Sequence, residues 1–155
     1  MSSAEPSVLV VDAWVVDASV AFGWFAEVAQ SPRAVALLDA QPASQLIAPD
    51  LVLVELLNAG WKAQRQGAIS EAQFLAIGEL APSLFSDLVP AATLLARAQR
   101  WCQILDHPAY DCLYLALAEQ RSAVLLTQDQ RLLRKLREVP QAAGLAMAIE
   151  ELVLP

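Results

Sequence analysis

Three carboxylates interrupt stretches that are otherwise apolar. Asp17 is the only charge between Asp12 and Glu27, Glu55 the only one between Asp50 and Lys62, and Asp111 the only formal charge between Asp106 and Glu119. An unpaired carboxylate in such surroundings costs several kcal/mol, so each needs a reason to be there. A fourth acid, Asp129, follows the apolar run from Ala123 to Leu126. Carboxylates gathered at neutral pH repel one another, and a divalent cation is the economical way to hold them ionised. An all-oxygen donor set favours Mg2+ or Mn2+ over zinc or copper. His107 is the only histidine, which rules out zinc sites built on two or three imidazoles. The two cysteines, Cys102 and Cys112, fit no metal-ligand spacing.

Taken singly, Asp17 reads equally as a strand-end turn residue, and Asp129 as a turn or cap. Asp50 and Asp106 read as helix-start caps, Asp12 as a loop acid, and His107 as a local helix-start residue. Glu55 and Asp111 are harder to dismiss. Both are expected in the first turns of helices, where an acid that only serves the dipole would need exposure that the neighbouring apolar residues do not offer.

The elements that must position these groups alternate. Short β-branched runs at Val8 to Val11 and Trp14 to Val16 each end at an aspartate, Asp12 and Asp17. A helix is expected from Val20 to Ala29, and Ser31-Pro32 opens another to about Ala40. Gln45 to Ala48 reads as a strand, Leu51 to about Gln66 as a helix closed by Gly67, and Ser70-Glu71 as the start of a helix ending near Ala81-Pro82. Asp87 to Pro90 is a short strand, Ala91 to Leu105 helical, and His107-Pro108 opens a helix to about Gln120. Ala123 to Leu126 is a further strand, a basic helix runs to Arg137, and Gly144 to Ile149 is a last strand. Strands alternating with helices call for right-handed crossovers and a mainly parallel sheet covered on both faces, an α/β fold. Asp17 and Asp129 then fall at the carboxyl ends of strands, where such sheets form their ligand crevice.

Four ordered motifs resemble those of PIN-domain nucleases, most nearly the VapC-type toxins. They are Val15-Val-Asp-Ala-Ser19, Pro49-Asp-Leu-Val-Leu-Val-Glu-Leu-Leu-Asn58, His107-Pro-Ala-Tyr-Asp-Cys-Leu-Tyr-Leu-Ala-Leu-Ala-Glu119 and Leu126-Thr-Gln-Asp-Gln-Arg-Leu132. The resemblance spans about Val15 to Arg137 and implies a PIN-like three-layer α/β/α fold. It implies that Asp17, Glu55, Asp111 and Asp129 are an acidic metal-binding quartet for Mg2+ (or Mn2+). Ser19 and Thr127 would be accessory hydroxyls, and Asn58 a polar partner near the glutamate. The implied activity is hydrolysis of RNA phosphodiesters, and the implied partners are a second copy in a homodimer and a small antitoxin. The alternative is a catalytically weak PIN-like module that binds RNA or protein. A response-regulator receiver fits less well, because position 55 is Glu rather than Asp and no lysine lies between Lys62 and Lys135. A haloacid-dehalogenase-type phosphatase would need its second aspartate where Ser19 stands.

The chain of 155 residues suits one domain, expected over residues 8–155, with residues 1–7 as a flexible extension. Apolar residues at 57% against 17% charged exclude a disordered or fibrous chain. The net charge of −7 opposes nonspecific adhesion to nucleic acid, so any RNA contact must come from local charge. Arg131, Arg134 and Lys135, with Arg137, cluster on the helix after Asp129, and Arg97 and Arg100 are expected nearby. The start lacks the basic segment of a secretory signal, no uncharged apolar run reaches 18 residues, and the cysteine usage suits a reducing compartment; the cytoplasm is the expected location and no membrane is implied.

Overall fold

A computed structural model describes residues 11–41 and 45–153. Five strands form one sheet: β1 (Ala13–Val16), β2 (Gln45–Pro49), β3 (Asp87–Val89), β4 (Val124–Thr127) and β5 (Ala146–Ala148). Their order is β3-β2-β1-β4-β5 and every neighbouring pair is parallel. The strands are short and mainly apolar, as a sheet buried on both faces requires, with Gln45, Asp87 and Thr127 at strand ends. Val15, Val16, Ile47, Ala48 and Leu126 are fully buried.

Among the described residues, seven helices connect and cover the sheet: α1 (Ala18–Ala21), α2 (Ser31–Asp39), α3 (Leu51–Arg65), α4 (Glu71–Leu84), α5 (Leu95–Leu105), α6 (Ala109–Arg121) and α7 (Gln130–Arg137). The chain steps outward from β1 through β2 to β3, then returns across the sheet to β4 and continues to β5. The direction therefore reverses between β1 and β4, which are hydrogen-bonded neighbours. Such a reversal opens a crevice at the carboxyl ends of the strands, and Asp17 and Asp129 lie there. The helix α6 is the most deeply buried, with every residue from Cys112 to Ala118 inside, packed across β1, β2 and β4. It brings Asp111 to the same edge.

The expected elements are found, with differences at their ends. The expected helix from Val20 to Ala29 is only α1, followed by a single tight turn over Phe22–Trp24. It stops because Gly23 packs against Ala34 and the backbone of Ser31, while the Ser31 hydroxyl accepts from Val28 N and donates to Ala26 O, holding the next residues in a loop. The helix α4 runs past Pro82 to Leu84, although Pro82 has no N–H to donate to the carbonyl of Gly78. Residues 91–94 form a separate short turn before α5. Gly67, at φ +73°, closes α3 as expected. Of the expected strand from Val8 to Val11, residues 8–10 lie outside the described residues, and Val11 precedes β1 without joining it. No helix among the described residues is long and apolar enough to cross a membrane.

Candidate metal centre

Asp17 follows β1 and caps α1. Its Oδ1 accepts from Val20 N at 3.1 Å and from the Ser19 hydroxyl at 2.6 Å, and its Oδ2 accepts from the Thr127 hydroxyl. Thr127 ends β4 and is fully buried; its Oγ1 also accepts from Asp129 N at 3.0 Å. Ser19 in turn accepts from Gln128 N at 3.2 Å. Two hydroxyls thus stitch the end of β1 to the end of β4 with Asp17 between them. Burial pushes Asp17 up to about 6, against the pull of Ser19, Thr127 and the Val20 N–H, and the charge of Asp111 adds to the push.

Glu55 lies on α3 and is half-buried. It stands in the second turn of its helix rather than the first, since the expected start at Leu51 is also the observed one. Its Oε1 accepts from the Tyr114 hydroxyl of α6 at 2.6 Å. Burial raises its pKa; Tyr114 opposes the shift and Asp111 reinforces it. Tyr114 is itself buried, which with the adjoining Glu55 charge raises its pKa and keeps the phenol a donor.

Asp111 is in the first turn of α6, as expected. Its Oδ2 lies 2.6 Å from Nε2 of His107, whose side chain is 3% exposed. Asp129 caps α7, with Oδ1 accepting from Leu132 N at 3.0 Å. One ligand atom each from His107, Asp111 and Asp129 lie within 4.8 Å of one another, the only such trio among the described residues. Asp17 and Glu55 lie outside it and are coupled to it through the charge of Asp111. Asp111 is therefore the electrostatic hinge between a tight trio and two flanking, partly desolvated acids. Asp17 and Glu55, whose ionised forms are disfavoured by burial and by the charge of Asp111, are donors that suit a hard divalent cation.

Asn58 is exposed on α3, and its side chain makes no hydrogen bond among the described residues. Arg131 and Arg134 are exposed on α7; Lys135 is half-buried and donates to the backbone carbonyl of Asp106 at 2.6 Å. Arg97 and Arg100 do not join them: both pair with Glu119 of α6. Burial pushes Glu119 up, but the two arginines outweigh it and hold its carboxyl below the usual range. Asp106 does not start a helix. It ends α5 in the left-handed conformation, at φ 48°. Asp50 precedes α3, yet its carboxylate bonds no N–H of that helix and instead accepts from Ala91 N at 3.0 Å. Cys102 and Cys112 are both free, and burial pushes the Cys112 thiol up to about 12, so it offers no thiolate.

Sequence reasoning missed two residues that hold the acids. Tyr114 is masked by its place in an apolar helical run, and His107 looks like a helix-start residue. For His107 the available signal is its place four residues before Asp111, whereas Tyr114 holds Glu55, 59 residues away in sequence, and carries no local signal.

Residues 14–138 match the PIN domain family, and the chain belongs to that family. No curated protein matches it. Among solved structures it is similar to PAE2754 from Pyrobaculum aerophilum, at 25% identity over 93% of this chain and 93% of that one, with a TM-score of 0.62. It is similar to FitAcB from Neisseria gonorrhoeae, at 16% identity over 90% of this chain and 99% of that one, TM-score 0.61. VapBC-1 from nontypeable Haemophilus influenzae gives 15%, 90%, 99% and 0.61 in the same terms. The PIN fold expected from the four motifs is borne out, and its sheet is parallel throughout.

Proposed function

We propose that this chain is a divalent-metal-dependent endoribonuclease, the toxin of a toxin–antitoxin pair. The observation that carries the reading is the acidic crevice of a PIN domain, where Asp17 is clamped by two hydroxyls and Asp111 links it electrostatically to Glu55 and lies in a tight trio with Asp129 and His107. Asp17, Glu55, Asp111 and Asp129 would hold Mg2+ (or Mn2+). When bound, the cation lowers the pKa of a coordinated water and offsets charge developing on the phosphate oxygens.

The protein's own contribution is to fix the acids. Thr127 and Ser19 hold both oxygens of Asp17, and Tyr114 holds Glu55, so the donors need little reorganisation when the site is filled. Asn58, exposed one turn from Glu55, would meet substrate. Arg131 and Arg134 supply exposed positive charge on the helix that Asp129 caps; they and Lys135 would contact RNA phosphates, giving affinity without reading sequence. The resemblance of the four motifs to VapC-type toxins supports a small antitoxin and a second copy of the chain as partners, and we place the protein in the cytoplasm. We assign the whole of residues 8–155 to this one domain.

The test is cleavage of a panel of structured RNAs by wild type and Asp17→Asn, with Mg2+, with Mn2+ and with chelator. Discrete products from wild type alone, abolished by chelator, are expected. Equal cleavage by Asp17→Asn overturns the assignment, and no cleavage by either protein moves the chain to the catalytically weak binding module.

A further inference from the structure

His107 is the one imidazole in the chain, and it sits beside the acids that the proposed function uses. Two roles are open to it. It could supply a nitrogen ligand, since its ring nitrogen shares the 4.8 Å trio with Asp111 and Asp129, or it could hold a carboxylate in place.

The hydrogen-bond pattern decides between them. Nε2 is 2.6 Å from Oδ2 of Asp111, while Nδ1 is buried with no hydrogen-bond partner among the described residues. With the proton on Nε2, the ring donates to a carboxylate oxygen and leaves only a bare lone pair inside the protein. With the proton on Nδ1, a buried N–H is stranded and the Nε2 lone pair faces a carboxylate oxygen, the costlier arrangement. A ligand must offer its lone pair, so ligation through Nε2 demands the second, costly tautomer. The mount is firm on both sides. The His107 N–H donates to Cys102 O at 3.4 Å, and the Cys112 thiol donates to His107 O at 3.8 Å. The ring is thereby held at the start of α6, four residues before its partner.

We propose that His107 is a positioning residue of the metal centre: its Nε2–H fixes Oδ2 of Asp111, leaves the other carboxylate oxygen for the cation, and does not itself ligate. This rests on Asp111 being a metal ligand. No group among the described residues bonds the second oxygen of Asp111. The donor set then remains all oxygen, and the site has no built-in preference for softer transition metals.

Because the chain has a single histidine, 15N-labelling that residue type gives one pair of ring nitrogen resonances. Without metal, Nε2 is expected to be protonated and Nδ1 bare, and both assignments should survive saturating Mg2+. A proton on Nδ1, or a switch of tautomer on adding Mg2+, overturns the proposal. Two variants of similar size separate holding from ligating. In His107→Gln the amide nitrogen reaches the position of Nε2; in His107→Asn it reaches only that of Nδ1. Mn2+ binding, followed by the EPR signal of free Mn2+, should weaken by about ten- to a hundredfold in His107→Asn and stay within about threefold in His107→Gln. Urea midpoints of the two variants should agree, which excludes a general loss of fold as the cause. Equal weakening in both, or in neither, overturns the positioning role. If the wild type binds no Mn2+, the metal-centre reading itself fails, whereas the tautomer in metal-free protein still judges the hydrogen bond on its own.

Discussion

The acids at the strand ends and the acids on the helices are held in different ways. Asp17 and Asp129 each cap a helix, so a backbone N–H comes to each carboxylate as a consequence of the chain turning from strand to helix. Thr127 then ties the two together, donating to one and accepting from the backbone of the other. Glu55 and Asp111 lie on helices, but among the described residues neither carboxylate accepts from a backbone N–H, and each meets one side chain, Tyr114 or His107. Strand-end acids therefore owe their placement to the fold, and helix acids to two particular residues carried on or beside α6. The first pair should resist substitution around it, whereas the second should respond to single changes.

The largest expected effect is on Asp17 itself. Asp17→Asn should reduce RNA cleavage at least about a thousandfold under the proposed function, measured as initial rates with saturating Mg2+. The same change should stabilise the metal-free protein, in a pH-dependent way. Asp17 titrates at about 6 when folded and at 3.8 ordinarily, so the folded state holds its proton more tightly. Stability linked to this group is present below pH 4 and lost as pH rises through 6. The loss is at most about 3 kcal/mol, and less where solvent reaches the side chain. In chelator, Asp17→Asn should raise the urea midpoint at pH 8 and leave it unchanged at pH 3.5. A midpoint that falls at pH 8 would mean that the strand-end acid is not strained as an anion.

Thr127→Val breaks the bridge between the two strand-end acids. It removes a buried donor to Asp17 and a buried acceptor for Asp129 N, for an expected cost of about 2–3 kcal/mol by urea unfolding. Tyr114→Phe removes one bond from a helix acid and should cost about 1 kcal/mol at neutral pH. It also takes away the donor that opposes the rise in Glu55, so Glu55 should titrate higher still. The Tyr114→Phe deficit should shrink as pH falls and Glu55 gains its proton in both proteins. Metal affinity should reverse the order of these stability effects, Tyr114→Phe losing more than Thr127→Val, if the helix acids depend on single residues as argued.

The alternation of apolar runs and cap signals was enough to read the parallel sheet, because a doubly covered strand must be apolar and a helix must start and stop somewhere. The three improbable carboxylates were legible for the same reason: Asp17, Glu55 and Asp111 stand out only against apolar neighbours. What pattern could not reach was pairing between elements. Arg97 and Arg100 look like free cations until α5 packs on α6 and gives them Glu119. Asp106 and Asp50 look like caps, yet their roles depend on a left-handed turn and on a contact 41 residues away. Tyr114 carries no charge to mark it, so its hydrogen bond to Glu55 is a tertiary fact with no local trace.

The smallest expected effect sharpens the comparison most. Ser19 is exposed, and its hydroxyl both donates to Asp17 and accepts from Gln128 N. Water can replace an exposed partner, so Ser19→Ala should cost under about 1 kcal/mol. Yet Ser19 is the strongest of the groups pulling the Asp17 pKa down, and without it the carboxylate should titrate above 6. Carboxyl 13C titration of metal-free Ser19→Ala should show that upward movement while the melting temperature barely changes. If the pKa stays put, water serves Asp17 as well as the hydroxyl does, and the clamp rests on Thr127 and the backbone alone. If instead the melting temperature falls as far as in Thr127→Val, the outer hydroxyl is as structural as the buried one, and the strand-end acids are not held by the fold with the margin argued above.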